Sequence, residues 1–171
     1  MPLRVACQMD PIDRIDIKGD STFALLLEAQ HRGHKLFYYT PPNLALLGGR
    51  LVAHGSTLEI EDKVGAHYRL AEPRTEDLSD WDVVLLRQDP PFDMSYITTT
   101  HLLERIHPKT LVVNDPASVR DAPEKVFVLD FLDLQCGAPR DQAPGQQRKI
   151  GRRVVEELVA APLRLEQQGE G

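Results

Sequence analysis

The stretch Asp82-Val83-Val84-Leu85-Leu86-Arg87-Gln88-Asp89-Pro90-Pro91-Phe92-Asp93 decides how this chain is read. Four consecutive aliphatic residues predict a strand buried on both faces, stopped by the polar and proline residues that follow. Two adjacent prolines remove two backbone donors and hold the residues before them extended, so the turn is rigid and cannot run straight into a helix. Arg87 and Asp89 then stand at the carboxyl end of a strand. That end is either a site or a proline-capped strand with surface charges.

Two further stretches share the pattern. Leu3 to Gln8 runs into Met9-Asp10-Pro11, and Thr110 to Val113 runs into Asn114-Asp115-Pro116, so three predicted strands end in Asp-Pro. In an open parallel sheet the ligand crevice lies outside the carboxyl ends of the strands. If the three are parallel, they share a rim of carboxylates with Arg87 among them. Arg87 would there either hold an anionic ligand or form an ion pair with Asp89 or Asp115.

Between these strands the chain alternates. Asp20 or Ser21 can cap a helix with Phe23, Leu26 and Leu27 on its apolar face, ended by Gly33, and Leu36 to Tyr39 predicts a second strand. Residues 43–81 interrupt the alternation with short apolar and polar segments, Arg50–His54, Leu58–Glu61 and His67–Leu70, separated by glycines; they predict an antiparallel excursion. Ser95 can cap a helix running to Ile106, and helical turns are expected at 115–120 and 123–129. The fold class is therefore α/β: an open, mainly parallel sheet flanked by helices in three layers, with an antiparallel excursion.

Bulk properties narrow the function. The 171 residues are 42% hydrophobic and 27% charged, ordinary for one soluble domain, and carry a formal charge of −6. That charge argues against a nucleic-acid or anionic-membrane binder. No apolar run approaches a membrane span and no signal sequence opens the chain, so a cytoplasmic location is expected. Cys7 belongs in a buried strand and Cys136 in a polar tail, and the six histidines have no metal-ligand spacing. Neither a dinucleotide fingerprint, a P-loop nor a serine nucleophile elbow occurs. From Gln135 onward the character changes: the last 37 residues hold six of nine glutamines and none of the ten aromatics. Residues 135–149 are expected to be disordered, with a helix at 151–161.

The strings Gln8-Met9-Asp10-Pro11-Ile12, Lys18-Gly19-Asp20-Ser21-Thr22-Phe23-Ala24, Leu27-Glu28-Ala29-Gln30, Arg87 through Asp93, and Val113-Asn114-Asp115-Pro116 with Glu124-Lys125 resemble prokaryotic glutathione synthetase. The resemblance covers residues 1–134, as that family's N-terminal, Rossmann-like pre-ATP-grasp domain, with 135–171 a divergent tail. It implies an ATP-dependent ligase that joins γ-glutamylcysteine to glycine with ATP and magnesium. It implies substrate-binding roles for Asp10, Ile12, Arg87 and Asp89, and a nucleotide contact for Lys125. No catalytic or metal-ligating residue is assigned. The family's later glycine-rich loop and acidic magnesium ligands have no counterpart beyond Leu134, so the resemblance implies an N-terminal portion inactive alone that binds neither ATP nor magnesium tightly. Homo-oligomerisation is left open. A non-catalytic peptide-binding module or partner subunit is the competing reading. A receiver-like signalling domain, which also gathers aspartates near a lysine, is disfavoured by Pro90-Pro91 and by the long excursion.

Overall fold

Aliphatic runs flanked by proline and glycine become strands, and the amphipathic runs between them become helices, in the computed structural model, which describes residues 1–122. Strands β1 (Arg4–Met9), β2 (Lys35–Tyr39), β3 (Leu44–Leu47), β4 (Arg50–Ile60), β5 (Tyr68–Leu70), β6 (Arg74–Asp77), β7 (Val83–Arg87) and β8 (Leu111–Val113) are joined by helices α1 (Ser21–His31), α2 (Met94–Glu104) and α3 (Pro116–Asp121). The main path of the sheet is β3-β4-β2-β1-β7-β8, with β5 and β6 also pairing with β4. β1 lies parallel to both β2 and β7, and β7 parallel to β8, whereas every pairing made by β4 is antiparallel. The expected α/β class, with a parallel centre and an antiparallel excursion, is what the described residues form.

Strand alternation sorts the core into two clusters, one per face of the sheet. Val5, Cys7, Met9, Leu36 and Leu85 pack with Phe23 and Leu26 of α1. Ala6, Phe37, Tyr39, Val84 and Leu86 pack with Leu103 of α2 and Trp81, with Val119 of α3 against them. These are the three expected layers. Arg87 continues the Val83 and Leu85 series, so its side chain leaves the sheet on the α1 face.

The excursion differs from its sequence reading. Arg50–His54 and Leu58–Glu61 are not separate segments: one eleven-residue strand runs through Gly55. Glycine permits this because a Cβ at position 55 would lie 2.2 Å from the carbonyl oxygen of Tyr38 and 2.9 Å from the Phe37 ring. β4 can therefore lie against β2 in its second half and carry β3 and β6 on its first. Gln30 of α1 clasps the far end of β4, its amide donating to the Ile60 carbonyl at 2.7 Å and accepting from the Ile60 N–H at 2.8 Å.

Helix ends follow local chemistry. Asp20 caps α1 by accepting from the Phe23 N–H at 2.7 Å, and Gly33 leaves it at φ +81°, a region open to glycine. α2 begins two residues early, at Met94, because its cap is Asp93 rather than Ser95: the Asp93 carboxylate accepts from the Tyr96 N–H at 3.0 Å. A carboxylate placed just before the first turn meets the exposed N–H groups and partial positive charge there. The Pro90–Pro91 bond between β7 and α2 is cis. The expected turn at 115–120 is α3, whereas Lys125, the expected turn at 123–129, the disorder expected at 135–149 and the helix expected at 151–161 lie outside the described residues. Pro2–Pro123 form a compact unit.

Candidate functional site: the carboxyl rim of the sheet

Because β1, β7 and β8 are parallel, Asp10, Asp89 and Asp115 all follow strand ends on the same side of the sheet. The structure joins two of them. The Asp10 carboxylate accepts from the Asp89 backbone N–H at 2.7 Å, tying the turn after β1 to the turn after β7. The third carboxylate is occupied elsewhere: Asp115 caps α3 by accepting from the Ser118 N–H at 2.7 Å and stands 3.4 Å from His107. Burial would raise its pKa, but the Ser118 hydrogen bonds, with His107 and Arg120 nearby, hold it below the ordinary carboxylate value.

Arg87 makes no ion pair with Asp89 or Asp115 among the described residues. Its Nε instead donates to Thr22 Oγ1 at 3.0 Å and its Nη2 to Ser21 Oγ at 2.7 Å. Thr22 is buried and sits in the first turn of α1, so the helix start fixes the guanidinium plane through neutral acceptors. Nη1 and the second Nη2 hydrogen make none of these bonds. A guanidinium held on one edge and charged throughout can take a carboxylate on another edge through two parallel N–H bonds.

One neighbour of this cation was not legible as a site residue. Tyr96, in the first turn of α2, is half-buried, and burial pushes its pKa up; Arg87 opposes that shift while Asp89 and Asp10 add to it. Its hydroxyl therefore keeps its proton at neutral pH and can donate. Cys7 lies under Arg87, but burial pushes its thiol up to about 12, which makes it a core residue as the sequence indicated.

Ile12 has a different place from the other three expected residues. Its side chain is 3% exposed and packs in the α1-face core with Phe23. Its backbone is also engaged: the N–H donates to the Tyr38 hydroxyl at 3.3 Å, and the carbonyl lies 2.8 Å from His67 Nε2.

Two concavities lie elsewhere. A cleft of about 690 Å³ opens at the amino ends of β1 and β2, lined by Arg4, Lys35, Glu59, Arg69 and Trp81 among others. A shallower groove of about 400 Å³ runs between Pro41, Leu44, Met94 and Leu102. Neither is lined by Arg87. Among the described residues no three His, Cys, Asp or Glu side chains come together as a metal site. No helix among them is long and apolar enough to cross a membrane.

Residues 3–120 match the family model described as prokaryotic glutathione synthetase, N-terminal domain. The chain is 67% identical over 134 residues to a glutathione synthetase of Bradyrhizobium diazoefficiens, covering 78% of this chain and 43% of that protein. It is 64% identical to that of Rhodopseudomonas palustris over the same length, again 78% and 43%. With the Brucella melitensis glutathione synthetase the identity is 62% over 163 residues, 95% of this chain and 52% of that protein. An alignment of 163 residues exceeds the 134-residue body and so takes in part of the sequence beyond Leu134. The chain spans about half the length of the curated relatives it matches. By the extent of the family match and the identity to these relatives, this chain belongs to the prokaryotic glutathione synthetase family, through its N-terminal domain.

Proposed function

We propose that this chain supplies the peptide-recognition side of an ATP-dependent ligase joining γ-glutamylcysteine to glycine. The reading is carried by 67% identity over 134 residues to a protein named glutathione synthetase. Support within the fold comes from Arg87, a cation oriented by hydroxyls at the strand ends. In this reading Arg87 receives a peptide carboxylate, the Tyr96 hydroxyl donates a second hydrogen bond, and the acids Asp10 and Asp89 complement the peptide ammonium. Ile12 contributes by fixing the turn that carries Asp10. Phosphoryl transfer requires cations fixed on the transferring group. ATP and magnesium are accordingly assigned to residues outside 1–122, with Lys125 as the nucleotide contact, and an ATP-consuming ligase of this kind works in the cytoplasm.

Titration calorimetry of the 171-residue chain tests this. γ-Glutamylcysteine is expected to bind saturably, and glycine alone, which lacks the second carboxylate, is not. Absence of saturable binding by γ-glutamylcysteine contradicts the reading.

A further inference from the structure

The fold contains a device that bears on the rim without belonging to it. His67, just ahead of β5 in the antiparallel excursion, is buried at 9% exposure and reaches back 55 residues to the Ile12 carbonyl at 2.8 Å. A carbonyl only accepts, so Nε2 carries the hydrogen, and this bond persists whether the ring is neutral or cationic. The ring is wedged edge-on against Phe23, with centroids 6.1 Å apart, and against Tyr68 at 5.0 Å. From the other side Tyr38 takes the Ile12 N–H at 3.3 Å. Both backbone polar groups of Ile12 are therefore satisfied by side chains distant in the sequence, Tyr38 of β2 and His67 ahead of β5, while its own side chain is anchored in the core.

Pro11 connects this fixed point to Asp10. Its ring locks φ, here −53°, so Asp10 and Ile12 are joined by a stiff link. Asp10 in turn accepts from the Asp89 N–H at 2.7 Å. The chain of contacts runs His67, Ile12, Pro11, Asp10, Asp89, and it joins the excursion to the turn that follows Arg87.

We propose that His67 is a positioning residue: with Tyr38 it clamps the Ile12 backbone and so sets where the Asp10 and Asp89 carboxylates stand on the rim. The proposal rests on the peptide-binding reading only for what the rim holds, not for the clamp itself. It also assigns a use to the antiparallel excursion, which otherwise only extends the sheet.

Amide hydrogen exchange on the ¹⁵N-labelled 171-residue chain tests it, with γ-glutamylcysteine titration alongside. His67→Ala is expected to speed exchange of the Asp89 amide by about tenfold, the size set by loss of one net hydrogen bond, while the Ala6 and Cys7 amides inside β1 stay protected. His67→Gln, whose side-chain amide can still donate to the Ile12 carbonyl, is expected to restore slow exchange and the affinity for γ-glutamylcysteine that His67→Ala loses. Equal acceleration at Asp89 and in β1 would make His67 a general stability residue and overturn the proposal, as would unchanged Asp89 exchange in a folded His67→Ala. Should His67→Ala not fold, Tyr38→Phe removes the other half of the clamp at nearly constant volume; faster Asp89 exchange supports the proposal and unchanged exchange overturns it. Faster exchange in His67→Ala, with no γ-glutamylcysteine binding by any form, would sustain the clamp and sink the peptide-binding reading instead.

Discussion

Arg87 shows how much one side chain's partners constrain its role. A guanidinium neutralised by a carboxylate has little left for a ligand, but here its acceptors are the hydroxyls of Ser21 and Thr22. Arg87→Ala is expected to weaken γ-glutamylcysteine binding by about 1.5–3 kcal/mol, the range for a hydrogen bond to a charged group. Arg87→Lys should recover little of this, because an ammonium offers a point charge and cannot bond both hydroxyls and a carboxylate in one plane. Calorimetry on the two variants checks both statements; full recovery by lysine would mean that only charge matters. The sequence pointed to Arg87 through its position after four aliphatic residues. Thr22 could not be found that way, since 65 residues separate it from Arg87 and the side-chain bond leaves no local periodicity. Tyr96 was hidden for a related reason: at the start of an amphipathic helix it is indistinguishable from a packing residue until the helix is placed beside the rim.

At the scale of elements, strands of consecutive aliphatics and the Asp-Pro ends were legible, because buried parallel strands impose a pattern that little else produces. The excursion was harder. A glycine between apolar and polar segments normally marks a turn, and only the approach of the Tyr38 carbonyl shows that Gly55 lies inside a continuous β4. Gly55→Ala should thus cost stability toward the top of the about 1–3 kcal/mol typical of overpacking, because the obstruction is backbone and cannot rotate away. Urea unfolding measures it, and a neutral substitution would mean that β2 and β4 separate easily. α2 illustrates a nearer miss: Asp93 and Ser95 are both good caps, and the choice between them turns on which oxygen meets the free N–H groups of the first turn.

α3 yields a pH prediction. The Asp115 pKa is held below its ordinary value of 3.8, so its ionised form contributes stability above that value, and the contribution is lost as pH falls through the lower folded-state value. Asp115→Ala is expected to cost about 1 kcal/mol near neutrality, as for loss of a helix cap, with the gap to the parent closing below pH 3.8. A gap of the same size in strong acid would locate its origin in packing instead of charge.

For the whole molecule, all ten aromatic residues lie before Leu132, and the two clusters of the described residues draw on residues between Leu3 and Val119. A chain ending at Leu134 should therefore keep its unfolding free energy within about 1 kcal/mol of the 171-residue form, the scale of a weak set of contacts. A larger loss would show that residues 135–171 belong to the folded body. The two ends of the sheet also make opposite claims on a ligand. The cleft at the amino end has the volume, whereas the carboxyl rim has the oriented cation and the strand-end carboxylates. In an open parallel sheet, ligands are expected at the carboxyl ends. Titration of γ-glutamylcysteine into the ¹⁵N-labelled chain, followed by amide shifts, decides between them. Shifts clustered at Asp10, Arg87, Asp89 and Tyr96 are expected; shifts clustered at Arg4, Lys35, Arg69 and Trp81 would place recognition at the wrong end of the sheet and contradict the rim as the peptide site.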